Sequence, residues 1–481
     1  MSTPLPHFKN FLAGRWVDAE QALNVIDPST GAAFATMACA DKAQLDQALA
    51  AARACVNRGD LTRTRPAERS QWMHRVAQEI RQLADEGAWL LAEENGKNVA
   101  DARTEFELAA RYFEYYGGMA DKIEGASIPL GDDYVDFTLY EPLGVSAQIV
   151  PWNFPVDICA RSLAPALAAG NAVVVKTPEL TPLAVSLLGR ACERAGLPDG
   201  ALSLLCGLGP DLGAALVGHP EVDQIVFTGS VATGQSILRT AAERAVPCVM
   251  EMGGKSAAVV FDDYDSEHLL ASVKSGIFFN AGQVCSALSR LLVHRSVYPQ
   301  VLEAVTELAQ SLTPGSFRDT SADLTPVISE DQQKKILGMC RQAEDQGARL
   351  MTGGYIPQAP EQGYYISPTV FADVSTEMTL FQKEVFGPVL ALTPFDTEED
   401  AWALANATEY GLVAGVFTRD LARSLRAARA LQSGQVFVNE WFAGGIETPF
   451  GGVKRSGYGR EKGQEALYNY VATKNVAIRV S

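Results

Sequence analysis

A chain of 481 residues, 47% of them hydrophobic, can bury sizeable cores and exceeds the usual size of one domain, so at least two domains are expected. A formal net charge of −17 repels phosphate backbones and anionic lipid headgroups, which argues against nucleic-acid and membrane partners. Eight cysteines without C-x-x-C pairs fit a reduced, cytoplasmic protein, five scattered histidines without H-E-x-x-H give no metal site, and the N-terminal MSTPLPHFKN lacks the pattern of a signal peptide.

In chain order, roughly the first 120 residues read as helical decoration. Residues 41–56 and 66–86 carry apolar residues at helical spacing, the second with Pro66 near its start. Residues 123–140 (IEGASIPLGDDYVDFTLY) read as a hairpin with a G-D-D turn. From Val145 short Val- and Ile-rich runs alternate with helical stretches, the pattern of a parallel sheet with crossover helices. Runs at 145–151, 172–176, 202–206, 224–228 and 247–251 predict a five-strand doubly wound unit; runs beginning at 256, 289, 388, 411 and 434 predict a second α/β unit. The last dozen residues read as a strand without a nearby partner. It and the hairpin either add to a neighbouring subunit's sheet or fold onto their own domain.

Three residues carry the candidate chemistry. Cys285, in FFNAGQVCSALSR, follows a small polar stretch that predicts a loop, where backbone N–H groups lower a thiol's pKa from about 8.5. A thiolate there suits attack on a carbonyl. Glu251 ends a predicted strand just before Gly253 and Gly254, at the sheet edge where open α/β folds bind ligands; the bland alternative is a surface Glu closing a strand. Asn153, in PWNFP, lies between strand and helix, where its amide either donates to a developing oxyanion or caps the helix.

The chain resembles the aldehyde dehydrogenase superfamily, with PWNFP (151–155), VVVKTPE (173–179), FTGS followed by Gly234, EMGGK (251–255), GQVC (282–285), EVFGP (384–388) and PFGGVKRSGYGRE (449–461) in order. The resemblance implies a doubly wound NAD-binding domain (1–122 and 141–253), a second α/β catalytic domain (254–455) and bridging oligomerisation strands (123–140 and 470–481). It implies a homodimer or homotetramer. It casts Cys285 as nucleophile, Asn153 as oxyanion donor beside the Cys285 N–H, and Glu251 as general base for hydrolysis of a thioester by water, with an aldehyde as substrate. A coenzyme A-acylating enzyme and a catalytically silent homologue are the alternatives; a Glu at 251 opposes the first, and the presence of all three residues opposes the second.

No G-x-G-x-x-G follows the first strand, and G-L-G-P-D-L-G at 207–213 reads as turn chemistry. The resemblance instead gives Gly229, Ser230 and Gly234 to a pyrophosphate turn, Lys176 and Glu179 to the adenine ribose, and Glu384, Phe386, Val150 and Trp152 to the nicotinamide end. A carboxylate at the ribose repels a 2′-phosphate, so NAD is expected over NADP. Many relatives carry an aromatic residue and then Lys where this chain has Arg161 and Ser162. Arg161 matches the position at which succinic semialdehyde dehydrogenases carry Arg, which suggests a receptor for a substrate carboxylate. A second Arg of those enzymes is Phe279 here, and Asp157, four residues before Arg161 on the same predicted helix, offers a salt bridge instead. Phe154, Phe279, Trp441 and Phe442 are expected to form an aromatic wall, so the substrate is read as a semialdehyde or a polar or aromatic aldehyde.

Overall fold

The computed structural model describes residues 4–358, 360 and 362–480; the ends of the expected first domain (1–3) and last strand (481) lie outside them. Two sheets organise the chain. Helices α1 (Lys42–Arg58), α2 (Pro66–Asn95) and α3 (Val99–Gly117) precede the first. It is built by β1 (Val145–Ile149), α4 (Pro155–Ala169), β2 (Ala172–Thr177), α5 (Leu183–Arg194), β3 (Leu202–Cys206), β4 (Gln224–Gly229), α6 (Val231–Ala242) and β5 (Cys248–Met252).

These five strands are parallel, in the order β5-β4-β1-β2-β3. The order reverses between β1 and β4, and such a switch point opens a crevice at the carboxyl ends of the strands. Residue pattern explains the strands: β2 and β3 are buried throughout, as befits Val- and Leu-rich runs covered on both faces. Helix α4, with Pro155 at its first position, is buried on every side except at Asp157. A polar side chain on α4 therefore needs a partner within the protein.

The second sheet contains β6 (Ser256–Val260), β7 (Leu288–His294), β8 (Val389–Phe395), β9 (Val413–Phe417) and β10 (Gln435–Val438), in the parallel order β8-β7-β6-β9-β10. Strands Thr369–Ala372 and Arg349–Thr352 extend it beyond β8. Neither stood out in sequence, being four residues long, the outer one half-exposed. A separate apolar core lies around each sheet, and Phe154 packs against both.

The amino-terminal segment departs from the helical expectation. His7–Phe8, Asn10–Leu12, Arg15–Val17, Gln21–Asp27 and Ala32–Cys39 are strands; the second and third extend the first sheet past β3. Asp-Pro-Ser-Thr-Gly at 27–31 was the missed signal. Gly31 (φ 72°) closes a turn in which the Asp27 carbonyl accepts from the Thr30 and Gly31 N–H groups.

The hairpin and tail form a third small sheet. Tyr134–Pro142 pairs antiparallel with Val471–Arg479 along its length and with Ser127–Ile128 on its other side. The carboxyl-terminal strand thus pairs within its own chain.

Helices α2 and α3 meet at Gly87, where an added Cβ would stand 2.1 Å from the buried Phe106 ring. At an exposed helix site Gly→Ala adds about 1 kcal/mol of stability. Here Gly87→Ala is expected to remove about 1–3 kcal/mol through overpacking. A lowered urea midpoint would show it; a raised one would refute the contact.

Candidate active site

Glycines allow three chain segments to touch beyond the carboxyl end of β5. A Cβ at Gly253 would lie 2.1 Å from the Glu384 carboxylate, one at Gly254 2.8 Å from the Cys285 carbonyl, and one at Gly282 (φ 71°) 2.1 Å from the Gly387 carbonyl. Larger residues would force these segments apart. The approach lets Glu384 Oε1 accept from the Gly254 N–H at 3.1 Å, and burial pushes the Glu384 carboxyl up to about 7.

Cys285 follows an unusual stretch in which Asn280 (φ 49°), Ala281 (φ 52°) and Gly282 all take the left-handed conformation. For Ala281 that conformation costs about 1–2 kcal/mol, so the surroundings must hold it. They do so through amides. Asn280 Nδ2 donates to the Asn153 carbonyl (3.2 Å), Gln283 Nε2 donates to the Asn280 carbonyl (3.1 Å), and Gln283 Oε1 accepts from the Ile328 N–H (2.9 Å). Asn153 Nδ2 in turn donates to the Gln283 carbonyl at 3.0 Å. The amide expected to receive an oxyanion is thereby oriented by the loop that carries the thiol. Asn153 does not cap α4, whose N-cap is Phe154.

The thiol is half-buried, and burial pushes Cys285 up to about 11. Arg161 pulls it down, while Glu384 and Glu251 push it up. The expectation that backbone N–H groups lower the thiol holds in direction for the Ser286 N–H, but the net shift is upward because desolvation outweighs it.

Glu251 lies on β5, opposite Thr228 of β4, and is buried with neither carboxylate oxygen hydrogen-bonded. Burial and then Glu461 raise it well above an ordinary carboxyl, against the pull of Arg161 and Arg460. Arg161, 4% exposed, forms an ion pair with Glu461 and donates to Thr228 Oγ1 at 3.5 Å. Asp157, the partner considered from sequence, acts on it only through charge. Ser162 Oγ donates to the other Glu461 oxygen at 2.5 Å. Arg161 thus enters the site as the countercharge of buried carboxylates.

A groove of about 750 Å³ opens at the β1/β4 switch point. Val150, Trp152, Lys176, Glu179, Gly229 and Ser230 line it, as the resemblance implies. Lys176 and Glu179 form an ion pair, and Ser230 caps α6, its Oγ accepting from the Thr233 N–H at 3.2 Å. The N-terminus of α6 thus faces the groove with the polarity that suits an anion. Gly209 and Gly213 lie on its wall, where an added Cβ would meet nothing nearer than 3.9 Å and would project into the space; the 207–213 turn belongs to the groove more than its sequence suggested. Gly234 does not line the groove. It packs in α6, where a Cβ would lie 2.4 Å from Met252 Sδ. Phe386 (φ 59°) sets its ring edge-on to Trp152, centroids 5.4 Å apart.

Phe154 and Phe279 stack at 5.8 Å, both partly exposed, as is Phe442. Trp441 is buried behind them, its Nε1 donating to the Ser286 carbonyl at 3.1 Å. Sequence reasoning missed Asn280 and Gln283, although both stand within the quoted nucleophile motif, and gave Glu461 no partner. Among the described residues, no group of His, Cys, Asp and Glu is placed to hold a metal and no helix is long and apolar enough to cross a membrane.

Residues 16–476 match the aldehyde dehydrogenase family. Peroxisomal aminoaldehyde dehydrogenase 1 of Pisum sativum is 38% identical over 476 residues, covering 97% of this chain and 94% of the relative. The structure of an aldehyde dehydrogenase from Bacillus cereus in complex with NAD+ superposes with a TM-score of 0.97 at 36% identity, over 99% of this chain and 97% of that one. An indole-3-acetaldehyde dehydrogenase in complex with NAD+ gives a TM-score of 0.96 at 36% identity, over 98% and 97%.

With the thiol at about 11, each rise of one pH unit below that value increases the thiolate fraction about tenfold. Alkylation of Cys285 by iodoacetamide, followed by peptide mass mapping, is expected to accelerate steadily from pH 7 to pH 10. A rate already flat at pH 7 would refute the desolvated thiol.

Proposed function

The chain belongs to the aldehyde dehydrogenase family, and we propose that it oxidises an aldehyde to a carboxylic acid with NAD, through a thioester on Cys285 that water hydrolyses. The observation carrying this reading is the contact of the Cys285 loop with the Asn153 amide and with the Gly253–Gly254 turn that Glu384 holds, where the Glu384 and Glu251 carboxylates both act on the thiol. The Cys285 thiol releases its proton to solvent, its sulfur bonds to the aldehyde carbon, and the carbonyl π pair moves onto the oxygen, an oxyanion received by Asn153 Nδ2 and the Cys285 N–H. NAD, when bound, supplies the acceptor for the hydride that leaves that carbon. Glu251 then takes a proton from water as its oxygen attacks the thioester, and the Cys285 sulfur departs with the C–S pair. Burial makes Glu251 a stronger base than an exposed carboxylate.

The groove fits a dinucleotide in shape and polarity. Gly229, Ser230 and the α6 N-terminus receive the pyrophosphate, Lys176 and Glu179 the adenine ribose, and Glu384, Phe386, Val150 and Trp152 the nicotinamide end. The Glu179 carboxylate disfavours NADP. Gly234 contributes by letting α6 lie close to β5. In this reading the body around the first sheet binds NAD, the second carries Cys285, and the third sheet bridges subunits of a homodimer or homotetramer. Its exposed Tyr134, Val135, Leu139 and Ile478 support that last role, and eight free cysteines support a reducing, cytoplasmic setting.

For substrate we propose an uncharged aromatic aldehyde. The stacked Phe154 and Phe279 with Phe442 support it, and so does the indole-3-acetaldehyde dehydrogenase among the similar structures. A semialdehyde receptor is less favoured, because Arg161 is buried and its charge is already matched by Glu461.

Cys285→Ala is expected to reduce NADH formation to background while NAD still quenches tryptophan fluorescence; retained turnover would remove the nucleophile assignment. Added coenzyme A should leave the product a free acid, and an acyl-CoA product would favour the acylating route. Across a substrate panel, kcat/KM for benzaldehyde or indole-3-acetaldehyde should exceed that for succinic semialdehyde by roughly tenfold or more. The reverse order would return Arg161 to the role of anion receptor.

A further inference from the structure

We propose that Lys97 is a positioning residue for the oxidation: its buried ammonium clamps the Asn153 main chain and so keeps the Asn153 amide aimed at the aldehyde oxygen. The proposal rests on the role given to Asn153 above.

The turn between α2 and α3 is where the clamp originates. Gly96 (φ 87°) ends α2 and Asn98 caps α3, so the last residue of α2, Asn95, and Lys97 in the short turn between the helices are presented to the PWNFP loop. Successive carbonyls of that loop are each held twice. The Trp152 carbonyl accepts from Asn95 Nδ2 (2.8 Å) and Thr181 Oγ1 (3.1 Å); the Asn153 carbonyl accepts from Lys97 Nζ (2.8 Å) and Asn280 Nδ2 (3.2 Å). Lys97 is 1% exposed, forms an ion pair with Glu105, and sits 4.2 Å from the centroid of the Phe154 ring. Glu105 Oε2 also accepts from the Asp157 N–H at 3.2 Å, in the first turn of α4, which has no side-chain cap of its own.

The Lys97 and Glu105 pair therefore pins both sides of the step from β1 into α4: the carbonyl of Asn153 and the N–H of Asp157. Asn153 bears the first of these two groups, and its own side chain reaches the Gln283 carbonyl. Packing alone does not call for such a pair. Burying two charges is unfavourable, and apolar side chains of similar volume commonly serve stability as well or better. What apolar residues do not supply is a donor to the Asn153 carbonyl. Oxyanion stabilisation is sensitive to donor placement, so a residue fixing that main chain acts on the chemical step through Asn153.

A double-mutant cycle on the full-length enzyme tests this. Lys97→Met combined with Glu105→Gln removes both charges together, leaving neither buried alone. The pair of changes is expected to lower kcat about 100-fold while KM for the aldehyde moves by less than about threefold. In an Asn153→Ala background the same changes should lower kcat by less than about threefold, because the amide they position is gone. In the background that keeps Asn153, the rate of Cys285 alkylation should move by less than about threefold, far less than kcat. Equal losses in the two backgrounds, or no loss of kcat in the first, would overturn the proposal. An Asn153→Ala enzyme of undiminished kcat would overturn the role of Asn153 itself and the clamp with it. If the charge-free variant does not fold, Lys97→Arg carries the same cycle: it alters the reach of the donor, and its effect on kcat must likewise vanish without Asn153.

Discussion

Desolvation at the carboxyl end of β5 is the constraint around which the site is arranged. Cys285, Glu251 and Glu384 are all pushed toward their neutral forms by burial; Glu384 and Glu251 further raise the thiol, and Glu461 further raises Glu251. Such groups would be poor choices for stability. They suit a sequence of steps in which one proton acceptor and one nucleophile must act in turn without both carrying charge at rest. The Arg161 guanidinium offsets part of this cost: it pulls down both Glu251 and Cys285 while itself held by Glu461.

Close backbone approach makes the arrangement possible. Gly253, Gly254 and Gly282 remove the Cβ atoms that would separate β5, the 384–388 segment and the nucleophile loop. Once these segments touch, side-chain amides do the aligning. Asn153, Asn280 and Gln283 bind one another's main chains, so the strained left-handed stretch at 280–282 is held from the loop bearing Asn153. The Cys285 loop and the Asn153 amide are consequently parts of one hydrogen-bonded unit.

The sheets and the residues that meet beside β5 were legible in the sequence for a physical reason. Buried parallel strands must be continuously apolar, which makes β1 to β5 visible as runs, and glycines at close approaches leave motifs such as EMGGK and GQVC. The strands up to Cys39 were not legible because three are only two or three residues long, while Gln21–Asp27 and Ala32–Cys39 are only partly buried in a small separate sheet and so carry no continuous apolar run. The amide network was equally hidden. Hydrogen bonds from Asn280, Gln283 and Lys97 to main-chain carbonyls impose no spacing on the sequence, since any residue can offer the carbonyl.

Arg161 shows where linear reasoning misleads. On an exposed helix, Asp157 four residues earlier would be its natural partner, because that spacing aligns two side chains on one face. Helix α4 is buried nearly all round, so its polar side chains must be satisfied by whatever packs against each face rather than by neighbours along the helix. For Arg161 and Ser162 that neighbour is Glu461, 299 positions beyond Ser162. The two adjacent residues occupy the two oxygens of one carboxylate, the guanidinium supplying charge and the hydroxyl a hydrogen bond. Burial of Glu461 demands a countercharge, and on this helix Arg161 is the residue that supplies it.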